Sequence, residues 1–359
     1  MKAYTDMKLQ TRFIPFVALS ILALILGLWA GLVRLGWMLP RLPNLSTAHG
    51  PLMIAGFLGV LIPLERAVAI RQKWMFAVPV VTGLGWMVLL FSTLAGAALI
   101  TLGSLGTLAI LGVMVRREPY IHTVTMALGA LSWVVGNILW LFGLPIFQII
   151  FLWMAFLILT IGGERLELSR VLQPSVRQKH IFIGILIVLL TGTILSLLAL
   201  QWGARLSGLA MTALALWFLK NDLARRNIRH PNPLTRYIAI CLFTGFIWLG
   251  IGGILNFIIG ASYAGPLYDA ALHTVFVGFV ISMIFGHAPI IFPAILGAPI
   301  TYTSAFYAHL SILHVSLVLR VVGDLNGQMD IRRVGGLLNE IAILLFLGLT
   351  IHSIIKGTK

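Results

Sequence analysis

The sequence predicts an all-α, polytopic membrane protein of twelve transmembrane helices, and three observations predict it. Hydrophobic residues make up 60% of the 359, charged residues only 10%, and the mean hydropathy is +1.03. That composition excludes an ordinary soluble domain. Apolar stretches long enough to cross ~30 Å of hydrocarbon then follow one another with short gaps. Finally, the basic residues alternate between the loops as they do in membrane topologies.

In chain order the spans are expected at 12–36, 46–66, 74–92, 95–115, 119–142, 145–163, 179–200, 203–219, 235–259, 266–287, 299–322 and 335–355. Each is expected to be a helix, because lipid offers no partner to backbone amides and a helix satisfies its own. The residue-by-residue alternation of a membrane barrel strand is absent. The first segment is long enough to span and no small-residue cleavage site follows it, so a cleaved signal is not expected. The lone Cys241 falls within a span and excludes an internal disulfide. The whole of 1–359 therefore reads as a single transmembrane domain.

With the N-terminus in the cytoplasm, the tails and even-numbered loops hold 19 of the 25 Lys and Arg, and the odd-numbered loops hold 6. Both termini are then cytoplasmic, and the expected location is a bacterial cytoplasmic membrane. The net charge of +15 reads as this topology signal, with the lipid bilayer as partner and no nucleic acid.

A four-helix segment recurs three times, over approximately 11–117, 118–230 and 231–356. Thr11-Arg12-Phe13-Ile14 reappears as Thr235-Arg236-Tyr237-Ile238, and Ala48-His49 as Leu272-His273 at the same offset. Arg71-Gln72-Lys73 with Phe76 reappears as Arg177-Gln178-Lys179 with Phe182. Phe57, Phe156 and Phe279 each stand eight residues before Glu65-Arg66, Glu164-Arg165 and His287. Parallel repeats about an axis along the membrane normal, pseudo-threefold here, fit these echoes.

Ionisable residues inside spans are costly and are functional candidates. His49 and His273 lie near the outer starts of the second and tenth spans. Two imidazoles at equal depth can approach an iron from opposite faces, and neutral imidazole is a good haem ligand. The alternative is two solvated helix ends. His287 lies fourteen residues beyond His273, about 21 Å deeper, at the repeat position of Glu65 and Glu164. This inner layer is a candidate proton or ion pathway or second cofactor site. Arg66 and Arg165 beside it could neutralise the carboxylates or hold a haem propionate; interfacial charges ending three helices are the alternative. His309 and His314 are five apart on the eleventh span, about 140° around the helix, so they suit one metal poorly. His314 belongs to the outer layer and His309 to mid-membrane, each a candidate extra ligand or a packed histidine.

Twelve helices, three repeats and outer histidines on spans 2 and 10 resemble the catalytic subunit of haem–copper oxidases and nitric oxide reductases. That resemblance implies low-spin haem ligation for His49 and His273. The segments Ala48-His49-Gly50-Pro51-Leu52-Met53 and Leu272-His273-Thr274-Val275, the latter running on to Gly286-His287-Ala288-Pro289, are more similar to the NnrS family. Its members are twelve-helix membrane proteins with haem and copper, linked to nitric oxide metabolism. The sixth span begins Pro145-Ile146-Phe147-Gln148 and the seventh has only His180, so the oxidase copper ligands are missing. Thr47 and Gly50 stand where the NnrS-like motif often has a second histidine and an acid. Haem is thus the first cofactor expected and copper the second.

The expected function is a membrane haem protein handling nitric oxide or another diatomic, or passing electrons, as a haem-dependent oxidoreductase with a redox partner. A small-solute transporter or channel is the alternative. An assembly or partner subunit of a respiratory complex is the third reading.

Overall fold

The computed structural model describes residues 10–40, 42–298 and 300–357. Among them there is no strand, and eleven helices are long and apolar enough to cross a membrane. In chain order the helices are α1 (Thr11–Arg34), α2 (His49–Ile70), the shorter apolar α3 (Lys73–Leu89) and α4 (Thr93–Arg117). There follow α5 (Ile121–Leu141), α6 (Ile146–Leu172), α7 (Val176–Leu198) and α8 (Leu200–Asn221). The last four are α9 (Pro233–Ile259), α10 (Gly265–Leu296), α11 (Phe306–Leu325) and α12 (Met329–Lys356). This is the architecture of a multi-pass integral membrane protein. The stretch read as a third span corresponds to α3, which at 1.5 Å per residue is about 25 Å long.

Helix starts are set by local chemistry. Ser92 Oγ accepts from the Ala95 amide, and Asn232 Oδ1 accepts from the Thr235 amide. Ser175 and Gln178 form a reciprocal capping box that opens α7. The stretch 299–322 differs from its expected span at its start. Gly297, at φ 65°, terminates α10, and the helical run resumes only at Phe306, after Thr303 Oγ1 accepts from the Ala305 amide.

The chain forms two compact units. The first is Met1–Leu144 with Ile290–Pro299, and the second is Pro145–Pro289 with Ile300–Lys359. In the first unit, α1 packs on α2 and α3–α4–α5 follow as successive neighbours. In the second, α7–α8–α9 form one such run and α11 and α12 form a tight hairpin. A Cβ at Gly335 would stand 2.5 Å from the Arg320 amide nitrogen, so glycine there permits the close α11–α12 approach. Within α6, every residue from Ile149 to Thr160 is buried, and the helix is apolar all round as an interior helix must be.

Two helices depart from regular α geometry. In α2 the stretch Leu52–Leu58 is π-helical, and in α10 so is Thr274–Ile281. Both stretches lie just after a histidine, His49 in the first unit and His273 in the second. A π segment inside an α-helix is rare and occurs mostly where function demands it.

Candidate functional site

His49 Nδ1 lies 2.8 Å from the Gly27 carbonyl of α1. His273 Nδ1 lies 2.9 Å from the Asp269 carbonyl, one turn back on α10. A carbonyl only accepts, so both rings donate from Nδ1 and carry their lone pair on Nε2. This is the tautomer a metal-ligating histidine presents, held by the kind of hydrogen bond that orients such ligands. The π segments beside them share a further device. A Cβ at Gly59 would stand 2.6 Å from the Trp133 ring, and one at Gly278 would stand 2.5 Å from that of Trp248. Glycine lets an indole lie against the irregular backbone in each unit.

The second unit adds charge. Arg320 of α11 donates Nε and Nη2 to the two Asp269 carboxylate oxygens at 2.7 and 2.9 Å. Its Nη2 is also 3.2 Å from His273 Nε2. Arg332 of α12 lies 3.4 Å from Asp269 and 2.8 Å from Asp324. Asp324 is 3% exposed and Arg320 7%. Two guanidinium groups thus face two carboxylates, with the His273 ring at their edge. Removing one member of such a buried group leaves an uncompensated charge, worth about 3–5 kcal/mol. Further along the α11–α12 hairpin, Asn339 Nδ2 donates to Ser316 Oγ at 2.6 Å, and Ser316 donates to the Leu313 carbonyl. Ser316, Arg320 and Asp324 are spaced four apart and form one polar stripe on α11.

The chain belongs to the family described as a domain of unknown function, DUF8744. The family's profile matches residues 12–355, nearly the whole of both units. No curated protein matches the chain. The DUF8744 match carries no activity, so the chemistry must be argued from the residues themselves.

In the second unit, His287 Nε2 is 3.8 Å from the Glu164 carboxylate. Arg165 makes a two-pronged pair with Asp222, 2.9 Å from Nε and 2.7 Å from Nη2, while Asp222 also accepts from Ser169 Oγ and the Ala224 amide. That pair ties the end of α6 to the turn after α8. In the first unit, Arg66 Nη2 is 3.8 Å from Glu65, its chain neighbour. His309 shares a 2.8 Å hydrogen bond with Tyr237 and sits among Phe285, Phe306 and Phe346. His314 Nδ1 accepts from the Trp248 indole at 3.0 Å. Indole only donates, so neutral His314 carries its hydrogen on Nε2. His309 and His314 therefore turn to different partners, in keeping with their angular separation on α11.

Sequence reasoning passed over Asp269, Arg320, Asp324, Arg332, Asp222 and Glu340. Two signals were available. Arg320 and Glu340 fall inside apolar spans, where any ionisable group is a candidate. Asp269 stands four residues before His273, the spacing that puts two side chains on one helix face.

Proposed function

We propose that this chain is a twelve-span membrane haem protein of three four-helix repeats, with both termini cytoplasmic in a bacterial membrane. Its chemistry is electron transfer or the handling of a small diatomic, nitric oxide first, with electrons supplied by a redox partner. His49 and His273 are the proposed iron ligands. The observation that carries the reading is their shared setting: Nδ1 held by a backbone carbonyl, Nε2 as the lone-pair nitrogen, and a π-helical stretch that begins within three residues. The donor chemistry fits haem iron, with one condition. Arg320 Nη2 lies against His273 Nε2, so ligation there requires the guanidinium to withdraw toward Asp269, which it already grips with two hydrogen bonds.

A bound haem would supply one-electron chemistry, and a place for a diatomic where one protein ligand is labile. The chain's own contribution is orientation. The Gly27 and Asp269 carbonyls fix the rings. His314 does not fit as a metal ligand, because its buried Nε2 bears the hydrogen.

The test is an absorption spectrum of the purified chain, oxidised and reduced. A Soret band with sharp reduced α and β bands is expected. His49→Ala and His273→Ala should each abolish the low-spin signature, while His180→Ala leaves it unchanged. A colourless folded protein sinks the reading. It would favour the second one, a small-solute transporter or channel, for which the charged cluster of α10–α12 is the supporting observation.

A further inference from the structure

Glu340 stands on α12 among the polar side chains of the α11–α12 hairpin. It is 9% exposed, and it lies inside an apolar span. Asn339 beside it is committed to Ser316 and the Leu313 carbonyl. A Cβ at Gly335, five residues before Glu340, would stand 2.5 Å from the amide nitrogen of Arg320, the α11 residue that carries the cluster's first guanidinium. That guanidinium is held by both oxygens of Asp269 and also faces His273. The other cation of the cluster, Arg332, is shared between Asp269 and Asp324. Asp269 and Asp324 thus engage both of these guanidinium groups, and an ionised Glu340 would be a carboxylate with no ion-pair contact among the described residues. An ionised carboxylate removed from water without its own partner is strongly disfavoured, whereas the neutral acid is tolerated.

We propose that Glu340 is a membrane-embedded proton-exchanging carboxyl, a site that takes up and releases one proton beside the α10–α12 ion cluster. The charged and titratable groups of the cluster are Arg320 and Asp324 from α11 and Asp269 and His273 from α10. Arg332, Arg333 and Asn339 belong to its own helix. Asp269 and Asp324 each have a guanidinium in contact. Glu340 is the carboxyl of this group free to change its charge without breaking an ion pair. The inference rests on neither functional reading above, since redox chemistry on a diatomic and ion-coupled transport both need such a group.

A hydrophobic carbodiimide tests it, because only the protonated acid adds across the C=N bond, giving an acylurea without a leaving group. The whole chain in lipid vesicles is treated with dicyclohexylcarbodiimide across a pH series, and the adduct is located by peptide mass spectrometry. The expected result is an adduct at Glu340 that declines as pH rises and is lost in Glu340→Gln. Infrared difference spectra should also contain a carboxylic C=O stretch that shifts in D₂O and is missing in the same variant. A Glu340 adduct that forms in the detergent-unfolded chain but not in the folded one would overturn the proposal. So would an adduct yield independent of pH, or a C=O stretch that survives Glu340→Gln.

Discussion

α2 and α10 are built on one plan and placed in different electrostatic surroundings. Each carries a histidine whose Nδ1 rests on a carbonyl, runs on into a π-helical stretch, and lays a glycine under a tryptophan ring. For His49 the carbonyl comes from the neighbouring α1. For His273 it comes from α10 itself, and the Asp269 carboxylate and Arg320 guanidinium crowd the same ring. The backbone irregularity therefore does not depend on the charges, and the charges need not be there to orient the imidazole. The two features should separate under mutation.

Asp269→Asn should separate them most forcefully. The side chain keeps its shape and loses its charge, leaving Arg320 and Arg332 with Asp324 alone. The expected cost is about 3–5 kcal/mol, measured as a fall in the unfolding midpoint in detergent. Asp222→Asn, which strips Arg165 of its two-pronged partner, should cost a similar amount. His49→Ala removes one hydrogen bond to a carbonyl and should cost only about 1 kcal/mol of stability. If Asp269→Asn unfolds no earlier than His49→Ala, the charged cluster is not what distinguishes the two helices.

The glycines probe what the helices share. Gly59→Ala pushes a methyl group into the Trp133 ring, and Gly278→Ala pushes one into that of Trp248. Overpacking of this kind costs about 1–3 kcal/mol. Equal losses from the two variants support a common construction. A loss in one and none in the other would mean that the π stretches tolerate their tryptophans by different means.

What is legible in the sequence follows the same division. The long helices are legible because hydropathy over about twenty residues is a property of the segment alone. His49 and His273 stand out for a similar reason: each is a polar residue at the edge of an apolar run. The π segments leave no such trace, since Leu52–Leu58 and Thr274–Ile281 have the composition of any apolar helix. The ion cluster is half legible. Arg320 and Glu340 are visible as charges within spans, but their pairing is not, because Asp269, Arg320 and Arg332 are brought together from three helices. The Arg165–Asp222 pair, 57 residues apart, is hidden for the same reason.

The finest difference concerns tautomers. His49 and His273 donate from Nδ1, whereas His314 accepts there from Trp248 and carries its hydrogen on Nε2. The Trp248 indole stacks near the His314 ring at a centroid distance of 6.5 Å, and it also covers Gly278 of the α10 π stretch. One side chain thus links the π stretch to the state of a histidine on α11. Trp248→Phe keeps most of the ring and removes the donor. The net value of such a hydrogen bond is about 0.5–1.5 kcal/mol, so the stability change should be the smallest of the series. The tautomer should respond more clearly. Without the indole N–H, His314 is released from carrying its hydrogen on Nε2, whose buried N–H finds no acceptor among the described residues. Nitrogen-15 shifts of histidine-labelled protein should then include one imidazole moving from the Nε2–H toward the Nδ1–H form. The same resonance should vanish in His314→Gln. A spectrum in which Trp248→Phe moves no imidazole would mean that the indole does not set this tautomer. The exclusion of His314 as a metal ligand would then lose its basis.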